Sequence, residues 1–221
     1  MKITTIIPAG GLSTRFGQDK LLVKINNKEI IKYTVDKFLN FENIQEIIIL
    51  APDHLIDQMS SIFNDISKVK VILGGSSRQE SVFNGLKAAN NPDFVIIHDG
   101  ARPFISNDVI LKTLNLALET KAAIVGVKAT DTIKLVNTDN NLIIKTIDRS
   151  KLYNIQTPQI FQFNTIFQAH LKLQHLSFTD DSSMLEYLNI PVFIIDGNYD
   201  NIKITTKKDL AIARSLLDPN F

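Results

Sequence analysis

Ile3-Thr4-Thr5-Ile6-Ile7-Pro8-Ala9-Gly10-Gly11-Leu12-Ser13-Thr14-Arg15-Phe16-Gly17-Gln18-Asp19-Lys20 is the stretch whose reading decides the fold. A β-prone run, Ile3 to Ile7, ends in a loop that is glycine-rich first and cationic last. Glycines let backbone N–H groups converge on an anion with no Cβ in the way. Arg15 then offers a planar fork of donors and Lys20 a movable point charge, so Gly10, Gly11, Arg15 and Lys20 together suit a polyphosphate. The loop is not a Walker motif, because no Gly-Lys-Ser/Thr follows, and it lacks the dinucleotide fingerprint G-x-G-x-x-G. An ordinary strand-to-helix turn with two solvated cations fits the same residues.

Downstream, apolar β-prone runs alternate with helical patterns. The expected strands cover 4–7, 46–51, 69–73, 94–98 and 122–127, and the expected helices between them cover 29–39, 55–63, 79–89 and 108–120. In the first helix Ile30, Ile31, Thr34, Val35, Phe38 and Leu39 share one face. Strands that are apolar throughout suit a parallel sheet covered on both faces. The repetition predicts an α/β fold with an open, doubly wound, mostly parallel sheet. Ligands on such sheets sit beyond the carboxyl ends of the strands, which places the loops after Ile7, Leu73 and His98 on one rim.

The second rim loop is Gly74-Gly75-Ser76-Ser77-Arg78-Gln79-Glu80-Ser81. Five of the chain's nine glycines (Gly10, Gly11, Gly17, Gly74, Gly75) lie in the first two rim loops, a concentration that scatter would not produce. Arg78 and Ser81 are placed to read a base edge or a phosphate, while Ser76 or Ser77 caps the following helix. The third loop, His98-Asp99-Gly100-Ala101-Arg102-Pro103, sets a carboxylate directly after an apolar strand. Asp99 there suits a ribose hydroxyl or the Mg2+ that accompanies a nucleotide; Arg102 reads as a structural partner shaping the turn.

Composition narrows the classes further. At 221 residues the chain fits one large domain able to bury its own core. A formal net charge of +1 removes the broad basic surface expected of a nucleic-acid binder. The absence of cysteine removes disulfides, thiolate nucleophiles and thiolate metal sites. No apolar run approaches a membrane span, and the N-terminal residues do not read as a signal peptide, so the expectation is a cytoplasmic protein without membrane or nucleic-acid partners. His54, His98, His170 and His175 show no metal spacing and read as incidental.

After Val127 the pattern changes. Asp131–Val136 and Leu142–Ile147 flank an Asn/Asp-rich turn and predict a β-hairpin arm, at about residues 131–150 of a single domain. A lone two-stranded ribbon is marginal in water, so the arm needs a partner surface, most simply a second copy of the chain. The last third carries helical patterns at 165–173, 182–188 and 207–217, a strand at 192–195 and the β-prone Asn201-Ile202-Lys203-Ile204-Thr205-Thr206. Thr206 and Asp209 have the spacing of a capping box. Lys203, set among β-formers, either reaches water or faces an anion.

Read together, the motifs resemble the 2-C-methyl-D-erythritol 4-phosphate cytidylyltransferase family from end to end. In order they are the Ala9-Gly10 loop with Arg15 and Lys20, Gly74 to Val82, His98 to Pro103, Asp131 to Lys134, Asp148-Arg149, Gln156 to Gln159, Thr179-Asp180 and Asn201 to Thr205. The resemblance implies a Rossmann-like, glycosyltransferase-A-like nucleotidyltransferase that moves CMP from CTP to methylerythritol phosphate with a divalent cation such as Mg2+. It further implies that Ala9, Gly10, Gly75, Ser76 and Ser81 hold cytosine and ribose, and that Arg15, Lys20 and Lys203 neutralise the triphosphate. Asp99 falls near ribose and Mg2+, and Thr132, Arg149 and Thr179 bind the methylerythritol phosphate. In the family two arms embrace in a homodimer, so Thr132 and Arg149 serve the neighbour's site. The chain departs from the family in Ala9-Gly10-Gly11 for Ala-Ala-Gly, in a shorter first loop and in Gly100 for alanine. The nearest alternative is ribitol-5-phosphate cytidylyltransferase; Asp148-Arg149 and Thr179-Asp180 favour the methylerythritol enzyme. A nucleotide-binding regulator without catalysis would have no use for a substrate arm.

Overall fold

The structure, a computed structural model, describes residues 1–10 and 19–217. Strand β1 (Ile3–Pro8) is buried along its whole length, and the sheet grows from it in both directions. After it come a short ribbon, β2 (Lys24–Ile25) and β3 (Lys28–Glu29), then α1 (Ile30–Leu39), β4 (Ile44–Ala51), α2 (Ile56–Phe63) and β5 (Val69–Leu73). The alternation continues through α3 (Arg78–Ala88), β6 (Phe94–Ile97), α4 (Asn107–Thr120) and β7 (Ala122–Lys128). A hairpin, β8 (Ile133–Asn137) and β9 (Leu142–Ile147), interrupts it. Then follow β10 (Tyr153–Gln162), α5 (Phe163–Leu173), α6 (Ser182–Tyr187), β11 (Phe193–Asp196) and α7 (Lys207–Leu216).

Among the described residues seven strands form one sheet in the order β11-β7-β10-β6-β1-β4-β5. All are parallel except β10, which runs antiparallel to both β6 and β7. The chain leaves β1 toward β4 on one side and comes back to β6 on the other, so the strand order reverses between β1 and β6. A crevice at such a reversal is where open α/β sheets bind ligands. Apolar residues of α1, α2, α4 and α7 cover one face of the sheet, and those of α3, α5 and α6 cover the other. The face expected for α1 is the buried one: Ile30, Ile31, Thr34, Val35 and Phe38 are all inside.

The expected strands and helices are present, their ends shifted by a residue or two. Two points differ. No strand is predicted at 153–162, because Gln156-Thr157-Pro158-Gln159 breaks the apolar pattern with polar side chains and a proline. The structure accommodates them in β10 through a register shift between Gln156 and Gln159, the kind of irregularity in which a sheet tolerates proline. The β-prone run 201–205 forms no strand; Ile204 N–H instead donates to the Ala101 carbonyl at 2.9 Å, drawing Lys203 toward the rim.

The arm has the form expected of it. Among the described residues β8 and β9 pair only with each other, and Leu142, Ile143 and Ile144 are each more than half exposed. The capping box closes as predicted, with Thr206 accepting from the Asp209 N–H while the Asp209 carboxylate accepts from the Thr206 N–H. Ser77 caps α3.

Helix α3 lies so close on the sheet that a Cβ at Gly85 would come within 2.8 Å of Ile6 Cγ2 and 3.2 Å of Leu50 Cδ2. Alanine would gain up to about 1 kcal/mol of helix propensity, but overpacking a filled core costs about 1–3 kcal/mol. Gly85→Ala is therefore expected to lower stability by about 1 kcal/mol in urea unfolding, with the slope unchanged. A more stable variant would show that the layer has room to yield.

Candidate active site

Strand β6 ends where the chain turns through His98-Asp99-Gly100-Ala101-Arg102, and the Asp99 carboxylate is almost wholly buried. Burial alone would push that carboxyl up and neutralise it. Three cations outweigh burial and hold it well below the ordinary carboxylate range, Arg78 and Lys203 foremost. Arg78 Nε lies 3.2 Å from Oδ1, Lys203 Nζ 2.8 Å from Oδ2 and Arg102 Nε 3.7 Å from Oδ2. The last distance is too long for a hydrogen bond. Arg102 is fixed instead by Nη1 donating to the Asn201 carbonyl at 2.7 Å. It thus shapes the turn, as expected, and also faces the cavity.

The turn is held from below by β10. Thr157 Oγ1 accepts from the Asp99 N–H at 3.1 Å and donates to His98 Nδ1 at 3.1 Å. His98 Nε2 donates to the Arg102 carbonyl at 2.9 Å. Gln156 reaches the other way, with Oε1 accepting from Asn201 Nδ2 and Nε2 donating to the Asn198 carbonyl, each at 3.0 Å. Gln159 takes the third direction. Its Oε1 accepts from the N–H groups of Asp181 and Ser182, and its Nε2 donates to Asp180 at 2.6 Å. One polar stretch of β10 therefore sets three separate rim segments.

The glycine loop after β5 is closed on itself. Buried Ser81 accepts through Oγ from the Gly75 N–H at 2.9 Å and donates to the Ser77 carbonyl at 2.8 Å. Glu80 folds back to accept from the N–H and hydroxyl of Ser76. A Cβ on Gly75 would sit 2.4 Å from Glu80 Cγ, so this fold-back requires glycine.

Beyond these groups opens a cavity of about 460 Å³. Four of the predicted site residues, Arg78, Asp99, Thr179 and Lys203, line it together, joined by Arg102, Gln156, Thr157, Gln159, Asp180 and Glu186. Cations crowd one wall, and carboxylates and hydroxyls from the start of α6 form another. Ser76 opens instead onto a second cavity of about 390 Å³ behind α3. Ala9 and Gly10 continue β1 to the rim, Ala9 N–H donating to the Leu50 carbonyl. Lys20 opens a single 3-10 turn, Lys20–Leu22. Gly11 and Arg15 lie outside the described residues. Thr132 and Arg149 are exposed at the base of the arm, where the Arg149 guanidinium donates to the Thr130 carbonyl, and neither lines the cavity. No group of three or more His, Cys, Asp or Glu side chains among the described residues is arranged to hold a metal.

His98 and His170, read from the sequence as incidental, are both buried in the site's support. Asn201 and Asp181, also buried, carry no mark of this role in the sequence. The signal for this layer was the run of polar residues at 156–159, inside what the structure shows to be a buried strand.

A doubly wound sheet with a cation-ringed carboxylate beyond its central strand and a glycine loop on the same rim has the form of a nucleotide-binding α/β enzyme. A family model described as 2-C-methyl-D-erythritol 4-phosphate cytidylyltransferase matches residues 3–219. The enzyme of that name from Dictyoglomus thermophilum is 42% identical over 223 residues, covering 98% of this chain and 96% of the relative. Among solved structures, 4-diphosphocytidyl-2C-methyl-D-erythritol synthase from Anaerococcus prevotii superposes with a TM-score of 0.88 at 32% identity over 98% of this chain and 96% of that one. A Francisella tularensis 2-C-methyl-D-erythritol 4-phosphate cytidylyltransferase superposes at 0.85 and 30%, covering 98% of this chain and 100% of that one. The chain belongs to the 2-C-methyl-D-erythritol 4-phosphate cytidylyltransferase family.

Burial pushes His98 down to about 4, so it stays neutral in the fold while the unfolded chain protonates near 6.5. Between those values the unfolded state binds the extra proton, so stability falls as pH falls, by up to about 1.4 kcal/mol per pH unit. Urea unfolding from pH 7 to pH 5 should show that slope, and His98→Gln should flatten it. Equal slopes for both proteins would mean that His98 is not buried as a neutral ring.

Proposed function

We propose that this protein transfers CMP from CTP to 2-C-methyl-D-erythritol 4-phosphate, giving 4-diphosphocytidyl-2-C-methyl-D-erythritol and pyrophosphate in isoprenoid precursor synthesis. The observation that carries the reading is the Asp99 carboxylate ringed by Arg78, Arg102 and Lys203 at the strand-order reversal, in a chain of this family. A phosphate oxygen of the acceptor attacks the α-phosphorus of CTP in line, a P–O bond forms, and the bond to the β-phosphate breaks as pyrophosphate leaves. A phosphate monoester has its second pKa near ~6, so the nucleophile is largely ionised at neutral pH and needs no general base. Repulsion between anions is then the barrier, and preorganised positive charge is what lowers it.

In this reading Lys203 and Lys20, together with Arg15, meet the phosphates. Arg78 orients the nucleotide, and the loops at 9–11 and 74–76 enclose cytosine. Ser81 contributes by holding Gly75 in place. Thr179 and the start of α6 receive the acceptor's hydroxyls. For a divalent ion such as Mg2+, Asp99 would be the protein's carboxylate, sharing the ion with the substrate's phosphates in the manner usual for it; when bound the ion would supply charge neutralisation on those phosphates. Thr132 and Arg149 would complete the site of a neighbouring subunit, the exposed apolar arm being the surface through which two chains pair. The enzyme acts on small phosphate esters in the cytoplasm, apart from membranes and nucleic acid; no helix among the described residues is long and apolar enough to cross a membrane.

Pyrophosphate release from CTP should depend on methylerythritol phosphate and be far weaker with ribitol 5-phosphate. The reverse preference would make this the ribitol enzyme, and no release with either would defeat the reading. Lys20→Ala should lower kcat about 10²–10³-fold, the scale for one preorganised charge contact; a folded variant with wild-type kcat would remove Lys20 from the chemistry. Inactive Lys20→Ala and Arg149→Ala chains, mixed and allowed to exchange, should regain about a quarter of wild-type activity. About half the dimers are then mixed and each of those holds one whole site. A mixture that stays dead after demonstrated exchange would place both residues in one chain's site.

A further inference from the structure

We propose that Asp181 is a positioning residue for the transfer: it grips the Arg78 guanidinium at a second nitrogen while Asp99 holds the first, and His170 grips Asp181 in turn. Arg78, the first residue of α3, spans two rim segments, with Nε 3.2 Å from Asp99 Oδ1 and Nη1 2.7 Å from Asp181 Oδ2. A guanidinium is planar, so two of its nitrogens held by two separate carboxylates fix its plane as well as its place. It stays 28% exposed toward the cavity it shares with Lys203.

Asp181 itself is buried, and nothing about it is loose. Its Oδ1 lies 3.1 Å from His170 Nε2. Its backbone N–H donates to Gln159 in β10. The His170 ring, also buried, stacks on Phe83 with centroids 5.8 Å apart and planes 13° from parallel. Phe83 belongs to α3, as Arg78 does, so the network returns to the helix it starts from. Burial works to neutralise the Asp181 carboxyl, and the Arg78 and His170 side chains outweigh it and hold it low.

Stability is a poor explanation for such a chain of buried charges, because apolar side chains of the same volume often stabilise as well or better. What apolar side chains cannot do is aim a guanidinium. The network leaves the Arg78 plane determined before any nucleotide arrives, and preorganisation of this kind is what gives a charge its catalytic effect.

The proposal rests on the cytidylyltransferase reading of the cavity, and its test separates the two. Wild type, Asp181→Asn, Arg78→Ala and the double variant are assayed for kcat/KM with CTP, alongside thermal melts. Asp181→Asn, nearly isosteric, is expected to lose up to about a hundredfold, the scale for misplacing a positioned group, and to lose nothing further when Arg78 is already alanine. Millimolar guanidinium should restore part of the Arg78→Ala activity with Asp181 present, and not in the double variant. Losses that multiply, equal rescue in both backgrounds, or wild-type activity in Asp181→Asn would each overturn the positioning role. If Asp181→Asn does not fold, Arg78→Lys carries the test, since an ammonium has no plane for two carboxylates to fix. A folded Arg78→Lys with wild-type kcat/KM overturns the proposal. A wild type that does not turn over CTP defeats the reading and the proposal together.

Discussion

Asp99 sits almost out of water at the carboxyl end of β6, where an isolated carboxylate would take up a proton rather than stay charged. Its ionisation depends on cations that no single stretch of chain provides. Arg78 comes from the start of α3, Arg102 from the same turn, and Lys203 from the segment before α7. Each must be delivered within a few ångströms, and the sheet is the device that delivers them. The parallel strands end on one rim, and the reversal of strand order beside β1 opens the crevice where these loops meet.

The antiparallel strand matters as much as the parallel ones. A uniformly apolar β10 would fill the same gap between β6 and β7 and leave the rim loops to set their own geometry. With Gln156, Thr157 and Gln159 inside, each loop is held by a hydrogen-bonded partner from a buried strand. Polar groups at that depth are tolerable because they are paired with one another and with backbone. The arrangement exchanges some apolar burial for a rim that is already shaped.

The alternation of apolar strands and amphipathic helices was legible in the sequence, because the signal is periodic and local: α1 buries the face its spacing marks. The rim loops were legible for a related reason, since glycines and charges at the ends of apolar runs have few other uses. What spacing could not show was the layer beneath. Asp181 meets Arg78 across 103 positions and Asn201 meets Gln156 across 45, and nothing local in either segment marks its partner. The histidines mislead for the same reason. His98 looks idle when judged by metal spacing, yet it is locked between Thr157 and the Arg102 carbonyl. Strand β10 was not legible because polar residues around Pro158 break the apolar pattern of a buried strand, and the register shift that accommodates them leaves no local signal.

The arm lies between two strands that are already neighbours. Lys128 at the end of β7 and Tyr153 at the start of β10 face each other in antiparallel register, a geometry that a short hairpin turn is enough to connect. Ala129 N–H and the Leu152 carbonyl close that joint at 2.9 Å; the sheet makes little demand on residues 131–150 beyond it, and their length and sequence can drift without disturbing the packing beneath. The packing of the sheet is in that sense written outside the arm. A different element can be grafted at the same joint while the sheet and the rim loops it positions stay as they are.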